Sequence, residues 1–138
     1  MSSERKIDQF VVGDSVTIEQ TIRVEDIDRF AELSGDMSAI HMSEGAAANR
    51  GFGGRVAHGL LLGAWVSAIV GTRLPGDCGV LQTIAFSFRA PVVPPDLLKI
   101  TVTVAGKSEA VSQLKLSIKI ERSDGVVAAT GEARSIIR

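Results

Sequence analysis

Residues 51–71 read GFGGRVAHGLLLGAWVSAIVG. From Val56 onward the segment is apolar on every side, broken only by His58 and by small residues. It is shorter than the ~20 residues a bilayer crossing needs, so it reads as a buried helix over Val56–Thr72. A helix apolar all round must be covered from all directions. The sequence on either side supplies a cover. Downstream, Val80–Arg89, Leu98–Val104, Leu114–Glu121 and Val126–Ile137 carry the two-residue alternation of strands, with Ser123-Asp124-Gly125 as a hairpin turn. Upstream, Ser15–Ile22 alternates in the same way. Val24–Ser34 then shifts to a helical period, with Glu25 and Asp26 in its first turn and Gly35 as its stop. The expectation is an α+β fold in one domain over residues 1–138: a curved, antiparallel, five-stranded sheet wrapped around one long apolar helix. One sheet cannot enclose the helix alone, and a second copy of the chain is the natural source of the remaining cover.

The totals narrow the function classes. Apolar residues make up 45% and charged residues 22% of 138, which suits a single globular core. A net charge of -1 and six aromatic residues argue against nucleic acid, which asks for clustered cations and stacking platforms. Cys78 is the single cysteine, so no internal disulfide forms, and a reducing cytoplasmic setting is the default. Residues 1–13 read as a lead-in with a turn at Gly13 and no apolar stretch of the secretory kind. No membrane partner is expected.

Chemistry concentrates between Ser34 and Gly59. Asp36 and His41 stand five residues apart in what reads as an irregular loop beyond Gly35. In a partly dry cleft, such a pair can share a proton or hold a ring tautomer; the alternative is a surface Asp and an unrelated His. Gly53, Gly54, Arg55, His58 and Gly59 form a glycine-rich entry to the buried helix. Free amides there would polarise a carbonyl oxygen, or the glycines serve close packing alone. Ser43 would cap a short Ala-rich turn. His58 reads as a backbone-bonded structural histidine. Ser67 either bonds back to its own helix or faces Asp36. Two histidines without a cysteine pair speak against a metal, and Cys78 lacks a base beside it.

The segments FAELSGD and IH (Phe30–Asp36 and Ile40-His41), followed by FGGRVAHGLLL (Phe52–Leu62), together resemble the MaoC-like hydratase family. These are hotdog-fold (R)-specific enoyl-CoA hydratases. The resemblance implies a homodimer and a trans-2-enoyl-CoA or acyl-carrier-protein thioester as substrate, with no cofactor. It implies that Asp36 and His41 bind and activate water, that the Gly59 amide polarises the thioester carbonyl, and that Ser67 helps to hold the dyad. Gly54 and Ser38 fall among the substrate-binding and oxyanion positions. The family usually has Asn-Pro where this chain has Ser38-Ala39, which loosens the loop and changes its hydrogen bonding. The resemblance leaves room for a carrier-protein dehydratase, with Arg55, Arg73, Arg89 and Lys99 as docking candidates. A hotdog thioesterase and an inactive acyl-thioester-binding subunit are the readings from other classes.

Overall fold

The computed structural model describes residues 5–138; Met1–Glu4, the start of the lead-in, lie outside the described residues. Nine elements follow one turn of 3-10 helix at Ile7–Gln9: β1 (Ser15–Ile22), α1 (Val24–Ser34), α2 (Ala39–Met42), α3 (Glu44–Asn49), α4 (Gly59–Thr72), β2 (Gly79–Phe88), β3 (Asp96–Ser108), β4 (Gln113–Glu121) and β5 (Val127–Ile137). The strands make one antiparallel sheet in the order β1-β3-β4-β5-β2. The expected strands are all present.

Alternation decides which face is dry. Leu98, Ile100, Val102 and Val104 on β3 lie beside Leu114, Leu116, Ile118 and Ile120 on β4, all buried. The register sets Ile100 against Ile120 and Val102 against Ile118, so branched side chains pair across the strands. Against this face α4 lays Leu61, Leu62, Val66, Ile69 and Val70. Each such side chain contributes about 1.5–3 kcal/mol by leaving water. β5 turns small residues inward, Ala129, Gly131 and Ala133. A Cβ on Gly131 would lie 2.6 Å from the Ala85 carbonyl oxygen, so β2 and β5 approach as closely as they do only because no side chain intervenes.

Two details differ from the sequence reading. The apolar helix starts at Gly59, not Val56, because the Val56 and Ala57 amides are spent on the carbonyls of Ile40 (3.0 Å) and Val92 (2.8 Å), which holds that stretch extended. The lead-in is structural: Phe10 is fully buried in the core, and its carbonyl accepts a hydrogen bond from Lys107 Nζ at 2.9 Å.

One face of α4 remains uncovered. Leu60, Ala64, Ser67, Ala68 and Gly71 are on its outward side, and the edge strand β2 exposes Val80, Leu81, Ile84 and Phe88. No helix among the described residues is long and apolar enough to cross a membrane.

Candidate active site

The carboxylate of Asp36 is placed by the end of α1. Gly35 takes the left-handed conformation (φ 79°), and its amide closes on the Ala31 carbonyl at 2.8 Å. The Ser34 hydroxyl donates to the Phe30 carbonyl (2.7 Å) and accepts from the Asp36 amide (3.1 Å). The chain thus leaves the helix at a fixed angle. Asp36 Oδ1 then receives two bonds from Ser38, one from the hydroxyl (2.6 Å) and one from the backbone amide (3.1 Å). The hydroxyl bond, then the amide bond, hold the Asp36 carboxyl below its ordinary value of 3.8, with the nearby His41 and His58 adding smaller pulls the same way. Asp36 is an anion at neutral pH with Oδ2 left open.

His41 is not in an irregular loop. It sits on the four-residue α2, which begins at Ala39 with Ser38 in the N-cap position. Because Ser38 turns its hydroxyl to Asp36, it caps nothing. Ala39 occupies the first helical position, the one a proline suits best. A proline at Ala39 would remove backbone freedom there that alanine keeps. The His41 Nδ1 lies 2.6 Å from the Val56 carbonyl oxygen. A carbonyl only accepts, so Nδ1 carries the proton and Nε2 presents a lone pair. Nε2 is a base in waiting.

His58 is 2% exposed and lines the same pocket. Its Nε2–H donates to the Asp36 carbonyl at 3.0 Å, as expected of a backbone-bonded histidine. Its ring stacks on His41 with centroids 3.9 Å apart and an interplanar angle of 28°, a contact the sequence carried no signal for. Phe30 closes the other side at 4.7 Å. Asp36, His41 and His58 each bring one potential ligand atom within 4.8 Å of the others. In a stack, in-plane lone pairs run side by side, whereas one ion needs them to converge. The trio is better suited to moving protons than to gripping a cation.

These groups border a cavity of about 540 Å³ whose other walls include Ile40, Phe52, Leu62, Phe88 and Val92. Gly59 opens α4 at its rim, and His58 offers no side-chain cap. The first amides of a helix have no carbonyl one turn back, so the Gly59 N–H is free for an oxygen atom in the pocket. Gly59 must also be small: an added Cβ would stand 2.6 Å from the Phe88 ring.

Two sequence candidates are elsewhere. Gly54 is buried against Val93 Cγ1 and Glu44 Oε2, which a Cβ would meet at 2.9 and 3.2 Å; it serves close packing and does not line the pocket. Ser67 lies eight residues beyond Gly59, about 12 Å along the helix axis, on the exposed face of α4. It does not meet the dyad of its own protomer. Ser38 does reach the site, on the carboxylate.

A family model described as "MaoC like domain" matches residues 9–126. The chain belongs to the MaoC-like family. It is 38% identical over 122 residues to a 3-hydroxybutyryl-CoA dehydratase of Methylorubrum extorquens, an alignment covering 88% of this chain and 77% of that one. It is 30% identical to an (R)-specific enoyl-CoA hydratase of Aeromonas caviae, covering 88% and 91%. Among solved structures, an (R)-hydratase from A. caviae involved in PHA biosynthesis superimposes with a TM-score of 0.89 at 28% identity, over 94% of this MaoC-like chain and 98% of the other. The hotdog architecture expected from the sequence is the one present.

Proposed function

We propose that this protein is an (R)-specific hydratase of trans-2-enoyl-CoA thioesters, working equally as the dehydratase of the (R)-3-hydroxyacyl product. The hydro-lyase class agrees with the names of its relatives at 38% and 30% identity. The observation that carries the reading is the 2.6 Å contact between His41 Nδ1 and the Val56 carbonyl oxygen, which assigns the proton to Nδ1. With Nδ1–H committed to Val56, the open Nε2 and the open Oδ2 of ionised Asp36 face one pocket together.

The steps follow from those atoms. A water bound between Asp36 and His41 gives one proton to Nε2 and attacks C3 of the enoyl group. The electron pair of the C2=C3 bond moves onto the thioester oxygen. That oxygen accepts the Gly59 N–H, whose fixed direction at the helix start stabilises the enolate. The imidazolium returns its proton to C2 from the same side, so OH and H are added and nothing else is consumed. The anion of Asp36 stabilises the imidazolium while it lasts.

Coenzyme A, not a carrier protein, fits the exterior better. Docking an acidic carrier asks for several free cations around the mouth. Of the four sequence candidates only Arg89 borders the pocket. Arg55 is turned inward, and Lys99 is cross-strand from Glu121. The uncovered face of α4 and the free edge of β2 support a homodimer, with Ser67 belonging to that interface.

The test follows loss of enoyl absorbance with crotonyl-CoA and a longer trans-2-enoyl-CoA, with chiral analysis of the product. Formation of the (R)-alcohol is expected, and Asp36→Asn and His41→Ala should each cut turnover by about 10²–10⁴ without loss of fold. Release of free thiol with the enoyl absorbance unchanged would overturn the proposal in favour of a thioesterase.

A further inference from the structure

A helix of four residues has no stability of its own, because nucleation fixes several residues for a single bond. Yet α2 carries His41, and this chain lacks the proline that would stiffen it. Something outside α2 must hold it. Three bonds come from residues 55–56: the Val56 amide donates to the Ile40 carbonyl, His41 Nδ1 donates to the Val56 carbonyl, and Arg55 Nε donates to the His41 carbonyl at 2.5 Å. The last is unlike the others. It is charge-assisted, and it lands on a carbonyl in the closing turn of α2, where helical partners run out. A cation there also sits at the favourable end of the helix dipole.

Arg55 is itself held. Its side chain is only 12% exposed, and its Nη2 lies 2.5 Å from Asp28 Oδ1 on α1. Its amide donates to Glu44 Oε2 on α3 at 3.2 Å. One guanidinium therefore joins α1 to the backbone of the residue that supplies the base. The fork does this with two nitrogens at fixed spacing, which an ammonium cannot copy.

The geometry points to Arg55 as the positioning residue of His41, with Asp28 as its anchor. This rests on the hydratase reading, in which His41 Nε2 takes the water proton. Arg55 does not line the pocket and touches no substrate atom; it acts by fixing where the ring stands. The rival role for a cation this close to the site is binding a substrate phosphate. The two roles predict different kinetics.

The experiment compares Arg55→Met, Arg55→Lys and Asp28→Ala with wild type for kcat and KM on crotonyl-CoA. Melting temperature is followed, along with the exchange-protected Nδ1 proton of His41 by NMR. Positioning predicts that kcat falls about 10²-fold in Arg55→Met, since a shift near 1 Å costs that much. Arg55→Lys should lie between, and Asp28→Ala should lower kcat severalfold, all with KM little changed. Asp28 is half-exposed on α1, so its variant keeps the fold and decides the matter if Arg55→Met unfolds. Docking predicts the reverse: KM rises in Arg55→Met, and Asp28→Ala leaves kcat untouched. That pattern would overturn the inference. Should wild type hydrate nothing, the hydratase reading falls, and the NMR signal still decides. Unaltered protection of the His41 Nδ1 proton in folded Arg55→Met refutes the positioning role; lost protection sustains it.

Discussion

Replacing Gly59 by alanine tests the pocket where packing and chemistry meet. The new Cβ would fall 2.6 Å from Phe88 Cζ and 2.8 Å from Cε1 and Cε2. Ordinary carbon contacts begin near 3.5 Å, so the ring must retreat by about 1 Å or push the start of α4 back by as much. The stability cost is small. Overpacking typically costs about 1–3 kcal/mol, and alanine regains about 1 kcal/mol over glycine in a helix. The melting temperature should therefore drop by only a few degrees. Turnover should suffer far more, because the residue that moves is the one proposed to donate its N–H to the thioester oxygen. A displacement near 1 Å is worth about 10²-fold in kcat. The assay is crotonyl-CoA hydration at saturating substrate, run beside Gly59→Ala/Phe88→Ala. Phe88 is half-exposed at the rim, so truncating it removes the clash at little cost to the core. The double variant should recover at least tenfold over the single one. Wild-type turnover in Gly59→Ala, or a double variant no faster than the single, would refute the argument.

Ser38→Ala removes the largest influence holding the Asp36 carboxyl low, so its pKa should rise toward 3.8. A depressed carboxyl contributes stability at pH above its unfolded value and loses it as pH falls through the folded one. The variant therefore loses the Asp36 anion at a higher pH, and the Asp36 carboxyl titration followed by carbon-13 NMR should move upward; an unmoved titration would deny Ser38 that role. On the proposed interface, Leu81→Asp with Ile84→Asp places two carboxylates on one face of β2, since both exposed residues stand opposite buried residues of β5, Ser135 and Ala133. Sedimentation should then show monomer in place of dimer, and a dimer that survives both changes would locate the contact elsewhere.

β3 and β4 were legible because each buries one face, which writes a period of two into residues such as Leu114–Ile120. The end of α1 was legible because Gly35 must adopt a left-handed backbone and Ser34 can close the last turn. What escaped depends on distant partners. The α2 helix has no pattern of its own and exists through its bonds to residues 55–56. Phe10 gives no periodic signal and is buried by packing under the sheet. The start of α4 shifted to Gly59 because carbonyls on two other segments capture the preceding amides. At the site, Asp36, His41 and Gly59 came together as their motif suggested. The stacked His58 and the inward-turned Arg55 did not show, since both roles are set by orientation, which spacing does not encode. Gly54 illustrates the opposite error, a glycine near a site that is small for packing alone.

The strand order has a mechanical meaning. β1 and β2 follow one another among the strands of the chain, yet they occupy opposite edges of the sheet. Four inter-strand gaps of about 4.8 Å put those edges about 19 Å apart. Residues 23–78 must bridge that distance, and they carry Asp36, His41, the 55–56 segment that holds α2, and α4, whose first residue lines the pocket. The site is thus built into a tether pinned at both rims of the sheet, whose reach is set by strand count. Its interior can be recontoured by substitution or short insertion while the hydrogen-bonded registers stay untouched, so one sheet can carry differently shaped pockets.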